Sequence, residues 1–179
     1  MIVEFEDILK GNDELIELVR NWRNSKYVNQ YMYTNHHISE EEHQKWIENL
    51  RGKNTAKAWI IKYNKKPVGL ASLSNIDYGN KTTDWGLYIA NKSIRGKGLG
   101  SAALYKLMEY VFNEMNFNKM HTKVLENNLI AIKLYEKFGF KKDNASSMKI
   151  ERDGKKIAVN TMSISKDDWD HVKEKLVLN

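Results

Sequence analysis

The chain has 179 residues and no cysteine, which fits one domain and excludes disulfides, thiolate metal sites and an acyl-cysteine intermediate. Its formal charge is +6, and the whole excess lies between Asn91 and Lys142, where ten lysines and arginines stand against four glutamates. This local excess predicts a localised anionic ligand, with an ordinary solvated basic surface as the alternative.

The N-terminus is acidic and lacks the basic start and long apolar run of a signal peptide. No apolar run approaches the roughly 20 residues that span a bilayer. We therefore expect a cytoplasmic protein with no membrane partner. Without internal repeats, linkers or low-complexity tracts, we expect a single domain over residues 1–179.

Hydrophobic periodicity predicts alternating strands and helices. In chain order these are a strand near 2–5, a helix over 13–24, a helix from Ser39, strands over 58–63, 68–73 and 83–89, a helix with apolar positions 104–115, a strand over 119–125, a helix over 129–138, a hairpin around 152–155 and a helix over 166–178. Ser39 and Glu42 have the spacing of a capping box. The fold class is therefore α/β around a central sheet.

A glycine-rich loop, Ile94-Arg-Gly-Lys-Gly-Leu-Gly-Ser101, follows a predicted strand and opens the most amphipathic helix. Its glycines let the backbone approach a ligand, and the helix N-terminus offers unpaired N–H groups to an anion. Arg95 and Lys97 add positive charge. The loop predicts a pyrophosphate site, with a plain turn as the alternative. The Walker A and Gly-x-Gly-x-x-Gly patterns are both absent.

The segment Arg95-Gly-Lys-Gly-Leu-Gly100 resembles the Arg/Gln-x-x-Gly-x-Gly/Ala loop of the GNAT superfamily of N-acetyltransferases. Further along, Glu126–Phe140 is similar to that superfamily's second signature, Asn-x-x-Ala-x-x-x-Tyr-x-x-x-Gly-Phe. The resemblance implies a mixed, mostly antiparallel twisted sheet flanked by helices (α+β). It also implies direct transfer of acetyl from acetyl-CoA to a primary amine, with CoA as product and no metal.

The same resemblance implies the site residues by position. The cofactor-binding residues are Leu87, Tyr88, Ile89, Arg95, Gly96, Lys97, Gly98, Leu99, Gly100, Ser101, Asn128 and Lys137. The first three would pair their backbone with the pantetheine arm, and the seven loop residues would hold the pyrophosphate. Tyr135 would act as general acid for the departing thiolate. Asn128 as a simple N-cap and Tyr135 as a core residue are the alternatives.

The proton acceptor is not settled by the sequence. Candidates are Asp84, Glu126, His36 and His37. Related N-terminal acetyltransferases often carry a glutamate five residues before the motif asparagine, where this chain has Lys123. We therefore favour removal of the proton through water.

The acceptor is suggested by three short segments, Arg23-Asn-Ser, Tyr31-Met-Tyr and Trp85-Gly-Leu-Tyr. They resemble the nucleotide-sugar N-acetyltransferases of pseudaminic acid biosynthesis, which act on a UDP-linked 4-amino-4,6-dideoxy sugar. The substrate-binding residues implied are Met32, Tyr33, Trp46, Tyr88 and His36, with Arg20, Arg23 and His37 as further UDP contacts. An ordinary core role is the alternative for each aromatic residue.

Other acetyltransferases share these motifs. A peptide, aminoglycoside or polyamine acetyltransferase is an alternative, and the acidic run Glu40–Glu42 favours a polycation unless it serves only the helix dipole. A non-enzymatic CoA binder is a further alternative. Nucleic acid is not expected as a partner, because the basic segment lacks interleaved aromatic residues. The oligomeric state stays open, a homodimer included.

Overall fold

The fold is a sheet with helices on both faces. A computed structural model describes residues 2–94, 96–143 and 148–176. Its strands are β1 (Glu4–Asp7), β2 (Lys57–Tyr63), β3 (Lys66–Asp77), β4 (Thr82–Ile89), β5 (Lys119–Leu125), β6 (Lys141–Lys142), β7 (Met148–Arg152) and β8 (Lys155–Ser165). Within the described ranges the strand order is β1-β2-β3-β4-β5-β8-β6, with β7 also beside β8.

The strand pairs are antiparallel except for β4 and β5, which run parallel. The helices are α1 (Asp13–Asn24), α2 (Lys26–Asn29), α3 (Glu40–Gly52), α4 (Leu99–Glu109), α5 (Leu129–Lys137) and α6 (Lys166–Lys173), with 3-10 turns at Ile8–Lys10 and Lys92–Ile94. The predicted class, a mixed and mostly antiparallel sheet flanked by helices, is confirmed.

Alternation along the strands divides the core between the two faces of the sheet. Ile60 packs in the cluster beneath α1 and α3, whereas its neighbour Ile61 packs on the opposite face against α4. The largest cluster lies on the α4 face and includes Leu104, Leu107 and Met108, all fully buried. The apolar face predicted for this helix therefore lies in the core.

Two local predictions needed correction. The apolar run over 104–115 predicted one continuous helix, but α4 passes into a π-helical turn at Tyr110–Glu114. The capping box is only half formed: Ser39 Oγ accepts from the Glu42 N–H at 3.1 Å, but the Glu42 carboxylate pairs with His36 at 2.9 Å. The Glu42 carboxylate therefore pairs with the His36 imidazole instead of the Ser39 backbone N–H that a capping box requires.

Smaller differences lie at the ends of the chain and in short elements. β1 begins at Glu4 rather than Ile2, whose side chain is exposed. α2 and β6 were not predicted, since four and two residues carry no periodicity. α6 ends at Lys173, and the end of the helix predicted to 178 lies outside the described residues.

Gly69 lies where β3 and β4 approach most closely. It pairs with Ile89, and a Cβ added there would overlap the carbonyl oxygen of Tyr88. We expect Gly69→Ala to lower the free energy of unfolding by about 1–3 kcal/mol, because the two strands must move apart. Urea unfolding measures the loss. Gly52→Ala is the control, since a Cβ at this helical glycine meets nothing within 4 Å and should be neutral or stabilising.

Candidate active site

An open wedge divides the sheet between β4 and β5. The two strands pair only from Thr82 to Asp84, opposite Lys119–His121. Thr122 Oγ1 donates to the Trp85 carbonyl oxygen at 3.1 Å. Beyond this bond, among the described strands, β4 pairs with β3 alone and β5 pairs with β8 alone. The β4 edge from Gly86 to Ile89 therefore offers backbone groups to an extended ligand.

The start of α4 differs from the other α-helix starts in the described part of the chain. Asn12, Ser25, Ser39, Asn128 and Ser165 each accept a backbone N–H of the helix that follows. α4 instead has Gly98 at its N-cap position, with φ 77° and no side chain to cap the helix. The first N–H groups of α4 are thus available to an anion, with the helix dipole adding attraction.

The predicted phosphate loop has the conformation that its glycines permit. Gly96 and Gly98 have φ values of 80° and 77°, in the left-handed region that favours glycine. Lys97 is exposed beside them, whereas Ser101 lies within the first turn of α4. Arg95, predicted to add a cation, lies outside the described residues.

α5 brings Tyr135 to the other side of the wedge. Asn128 caps this helix, its Oδ1 accepting from the Ala131 N–H at 3.4 Å. The Tyr135 ring is buried, 5.0 Å from the Trp85 ring and 5.9 Å from the Phe140 ring. Burial raises the pKa of Tyr135 to about 12, so the phenol stays protonated at neutral pH. Because Trp85 lies where β4 and β5 diverge, the Tyr135 ring lies beside the wedge.

Tyr88 and Arg23 come together on the opposite face of the sheet. Tyr88 packs with the cluster beneath α1 and α3, as does the partly buried Trp46. The Tyr88 hydroxyl and Arg23 Nη1 are both buried without a hydrogen-bond partner among the described residues. Arg23 Nη2 donates to the Thr34 carbonyl oxygen at 2.7 Å and to its hydroxyl at 2.9 Å. Burial, with nearby Arg152 adding to it, lowers the pKa of Arg23.

A cavity of about 520 Å³ lies between the α2 region and the hairpin of β7 and β8. Its lining residues are Asn24, Lys26, Asn29, Gln30, Tyr31, Asn35, His37, Asn127, Arg152, Asp153 and Ile157. Amide side chains predominate, and the charged groups are two cations and one carboxylate. The cavity suits a polar ligand that is neutral or anionic.

The other predicted site residues are spread around this region. Met32 is held by Arg152, whose guanidinium donates to the Met32 carbonyl oxygen. The Lys123 ammonium lies 5.9 Å from the centre of the Tyr33 ring. His36 is occupied by Glu42, and Lys137 is exposed in the last turn of α5.

Sequence reasoning missed Arg152. It lies 120 residues from Met32 in the chain, yet the two are in contact. Only the pairing of β7 with β8 brings Arg152 beside the 30–35 segment, and no local pattern signals that contact. Arg152 is the last residue of β7, next to a hairpin turn, and a charged residue at such a position is usually a solvent-exposed surface residue.

Two further observations concern the described residues as a whole. They contain no group of three histidine, cysteine, aspartate or glutamate side chains arranged to hold a metal ion. None of their helices is both long and apolar enough to cross a membrane.

The wedge, the uncapped glycine-led helix and the buried tyrosine together define an acyltransferase that takes its acyl group from a coenzyme A thioester. The chain belongs to the Acetyltransferase (GNAT) family, whose model matches residues 16–140. It is an acetyl-CoA-dependent N-acetyltransferase.

Two named acetyltransferases are similar to this chain. The acetyltransferase PseH of Campylobacter jejuni is 27% identical over 139 residues, covering 78% of this chain and 85% of that protein. Its structure with acetyl coenzyme A has a TM-score of 0.67 at 20% identity, covering 92% of this chain and 99% of that one. The spermidine N-acetyltransferase of Vibrio cholerae, in complex with CoA and spermine, has a TM-score of 0.83 at 19% identity, covering 93% and 97%.

Proposed function

We propose that the chain acetylates the 4-amino group of a UDP-linked 4-amino-4,6-dideoxy sugar, as in pseudaminic acid biosynthesis. The observation that carries this proposal is the acceptor side of the sheet, where Arg23 Nη1 and the Tyr88 hydroxyl are buried and find no hydrogen-bond partner in the part of the chain that the structure describes. The Arg23 guanidinium is held by Thr34 through Nη2 only, and a diphosphate oxygen would give its Nη1 a charge-assisted hydrogen bond.

The cofactor residues of this proposal fit the geometry of the wedge. When bound, acetyl-CoA supplies an activated acetyl thioester. Leu87, Tyr88 and Ile89 present their unpaired backbone edge to its pantetheine arm, and the N–H groups of Gly96–Ser101 hold its pyrophosphate. Asn128 lies at the start of α5 beside the wedge, and Lys137, at the other end of α5, is assigned to the adenosine phosphates.

Tyr135 is assigned the proton donor. Its phenol is protonated at neutral pH because burial raises its pKa to about 12. The Tyr135 ring packs against the rings of Trp85 and Phe140, which also contact each other, and this packing limits its motion. A fixed donor at the wedge protonates the sulfur as the carbon–sulfur bond breaks, so acetyl passes directly to the amine.

Charge separates the two acceptor classes suggested by the relatives. A polycation would need free carboxylates around its amines. Here Glu41 pairs with Lys45 at 2.6 Å, and Glu42 pairs with His36. The cavity beside them is lined by two cations against one carboxylate. These features support an anionic acceptor over spermidine.

One assay discriminates the acceptors. Release of free CoA thiol is followed with a UDP-4-amino-4,6-dideoxy sugar, spermidine, an aminoglycoside and a peptide panel. We expect the highest kcat/KM for the nucleotide sugar. A clear preference for spermidine or a peptide would contradict the acceptor assignment while leaving the acetyltransferase class in place.

Arg23 gives a sharper test within the same assay. We expect Arg23→Gln to lower kcat/KM for the nucleotide sugar about 10-fold or more, because a charge-assisted hydrogen bond of about 1.5–3 kcal/mol is lost. The amino sugar without its nucleotide should be little affected. Arg51→Gln, an exposed arginine in the last turn of α3, is the control. Equal losses for both sugars would show that Arg23 does not contact the nucleotide.

A further inference from the structure

A row of polar side chains crosses the sheet at the closed end of the wedge. Asp84, His121 and Ser163 lie directly opposite one another on β4, β5 and β8. Their neighbours Met120 and Ile164 point into the cluster beneath α4. Because side chains alternate along a strand, the polar row lies on the other face, the same face as Tyr88.

His121 has a carboxylate partner fixed in place. Asp143, just after β6, accepts from Ser163 Oγ through Oδ1 at 2.6 Å. Its Oδ2 lies 4.0 Å from His121 Nδ1. This distance is too long for a direct hydrogen bond, but the negative charge facing Nδ1 favours the tautomer that carries its proton there, which leaves the Nε2 lone pair free. The His121 side chain is 28% exposed, so a substrate can reach it.

A glycine lies beside this row, on the face of the sheet that carries His121. Gly86 follows Asp84 on that face, where the part of β4 that pairs with β5 has ended. A Cβ added at Gly86 would lie 3.3 Å from Ser72 Oγ on the adjacent strand, so the Ser72 hydroxyl lines this face beside the wedge.

Three of the four candidate bases expected from the sequence are engaged elsewhere, and the fourth, His37, lines the cavity beside the α2 region. Asp84 accepts from Asn75 Nδ2 at 2.7 Å, and Glu126 accepts from the Ala158 N–H at 2.8 Å. His36 is bound by Glu42 through both carboxylate oxygens.

We propose that His121 is the proton acceptor of the reaction, with Asp143 and Ser163 as positioning residues. The inference rests on the proposed function of the wedge. One proton passes from the acceptor ammonium to His121 Nε2, which frees the nitrogen lone pair. That pair forms the carbon–nitrogen bond to the acetyl carbon, the electrons of the carbon–sulfur bond leave with sulfur, and Tyr135 protonates the sulfur. The new amide nitrogen then loses its second proton, which passes through solvent to the Tyr135 phenolate. His121 releases the first proton to solvent, so the reaction yields the amide, the CoA thiol and one proton. His121 thereby makes water-mediated removal of the first proton unnecessary.

The first test needs no substrate. In protein labelled with ¹⁵N at histidine, the ring nitrogen shifts report the tautomer. We expect His121 to carry its proton on Nδ1 in the wild type and to shift towards the Nε2–H tautomer in Asp143→Asn. His171 is the internal control, since its Nδ1 lies 2.6 Å from the Asp167 carbonyl oxygen and far from this change in the chain. An Nε2–H tautomer of His121 in the wild type would overturn the proposal.

The second test is kinetic and uses whichever amine the wild type acetylates. We expect His121→Asn to lower kcat about 100-fold, within the usual range for general base catalysis. Added imidazole should restore at least a tenth of the activity to His121→Ala but not to Tyr135→Phe. His171→Asn should match the wild type. Circular dichroism and CoA calorimetry verify that each variant is folded and binds the cofactor.

The outcomes separate this proposal from the proposed function. If acetylation occurs but His121→Asn retains full kcat, or imidazole does not rescue His121→Ala, only the assignment of His121 is overturned. If no amine in the panel is acetylated, the proposed function fails, and the role of His121 fails with it. Loss of kcat together with imidazole rescue supports both.

Discussion

Replacing Tyr135 with phenylalanine is expected to lower kcat by about 10²–10⁴-fold while the Kd for CoA stays within about twofold. The change removes one hydroxyl from a ring that packs 5.0 Å from Trp85, so the packing itself is kept. A donor needed only as the carbon–sulfur bond breaks affects turnover rather than binding. Steady-state kinetics and calorimetry with CoA measure the two quantities separately.

Tyr105→Phe is the matched control. Tyr105 is a partly buried tyrosine of α4 whose ring meets the Trp169 ring edge-on at 5.3 Å, much as Tyr135 meets Trp85. Loss of its hydroxyl should leave kcat unchanged. If Tyr135→Phe behaves like Tyr105→Phe, Tyr135 is a core residue and another group protonates the sulfur.

The raised pKa of Tyr135 also determines how kcat and the stability of the fold change with pH. The pKa of Tyr135 is about 12 in the folded protein against about 10 in an unfolded chain. Between neutral pH and about pH 10 the phenol is protonated in both states, so it contributes no basic limb to kcat. Above about pH 10 the unfolded state loses its proton first, and Tyr135 then lowers stability as the pH rises through 12.

Local signals predicted most of the fold. α1 and β5 have the predicted bounds, because a cap and a periodic apolar stripe lie within the segment itself. The π-helical turn was missed because it adds one residue to a turn but keeps Val111 and Phe112 on the buried face. The spacing of apolar residues is then the same as in an α-helix, so hydrophobic periodicity cannot distinguish the two. The prediction that Glu42 completes a capping box was wrong. The path of the preceding loop brings His36 to the Glu42 carboxylate, and the sequence does not reveal that path.

The two halves of the site differ in how far sequence could predict them. The phosphate loop and Tyr135 belong to short motifs, so their positions follow from spacing within a single helix start or turn. The acceptor side depends on contacts between distant segments, such as Arg152 with Met32. His121 meets Asp143 only because β8 lies between β5 and β6. Strand order is a property of the whole sheet, and no local pattern in the sequence encodes it.

Gly98→Trp is expected to weaken CoA binding at least about 100-fold, a loss of about 2.7 kcal/mol. Gly98 precedes α4 with φ 77°, a conformation that costs an L-residue about 1–2 kcal/mol. A tryptophan there either shifts the backbone away from this conformation or places a large ring among the N–H groups assigned to the pyrophosphate. Calorimetry with CoA measures the Kd, and urea unfolding measures the cost in stability.

Gly154→Trp separates backbone strain from loss of the site. Gly154 has φ 73° in the turn between β7 and β8, and a Cβ there meets nothing within 4 Å. Both variants therefore carry the same left-handed strain, and their stability losses should be similar. Of these two variants, only Gly98→Trp should lose the cofactor, because Gly98 precedes a helix whose first N–H groups have no side-chain cap. An unchanged Kd for CoA in Gly98→Trp would show that the diphosphate does not bind at the start of α4. The positive charge concentrated nearby would then have no assigned ligand.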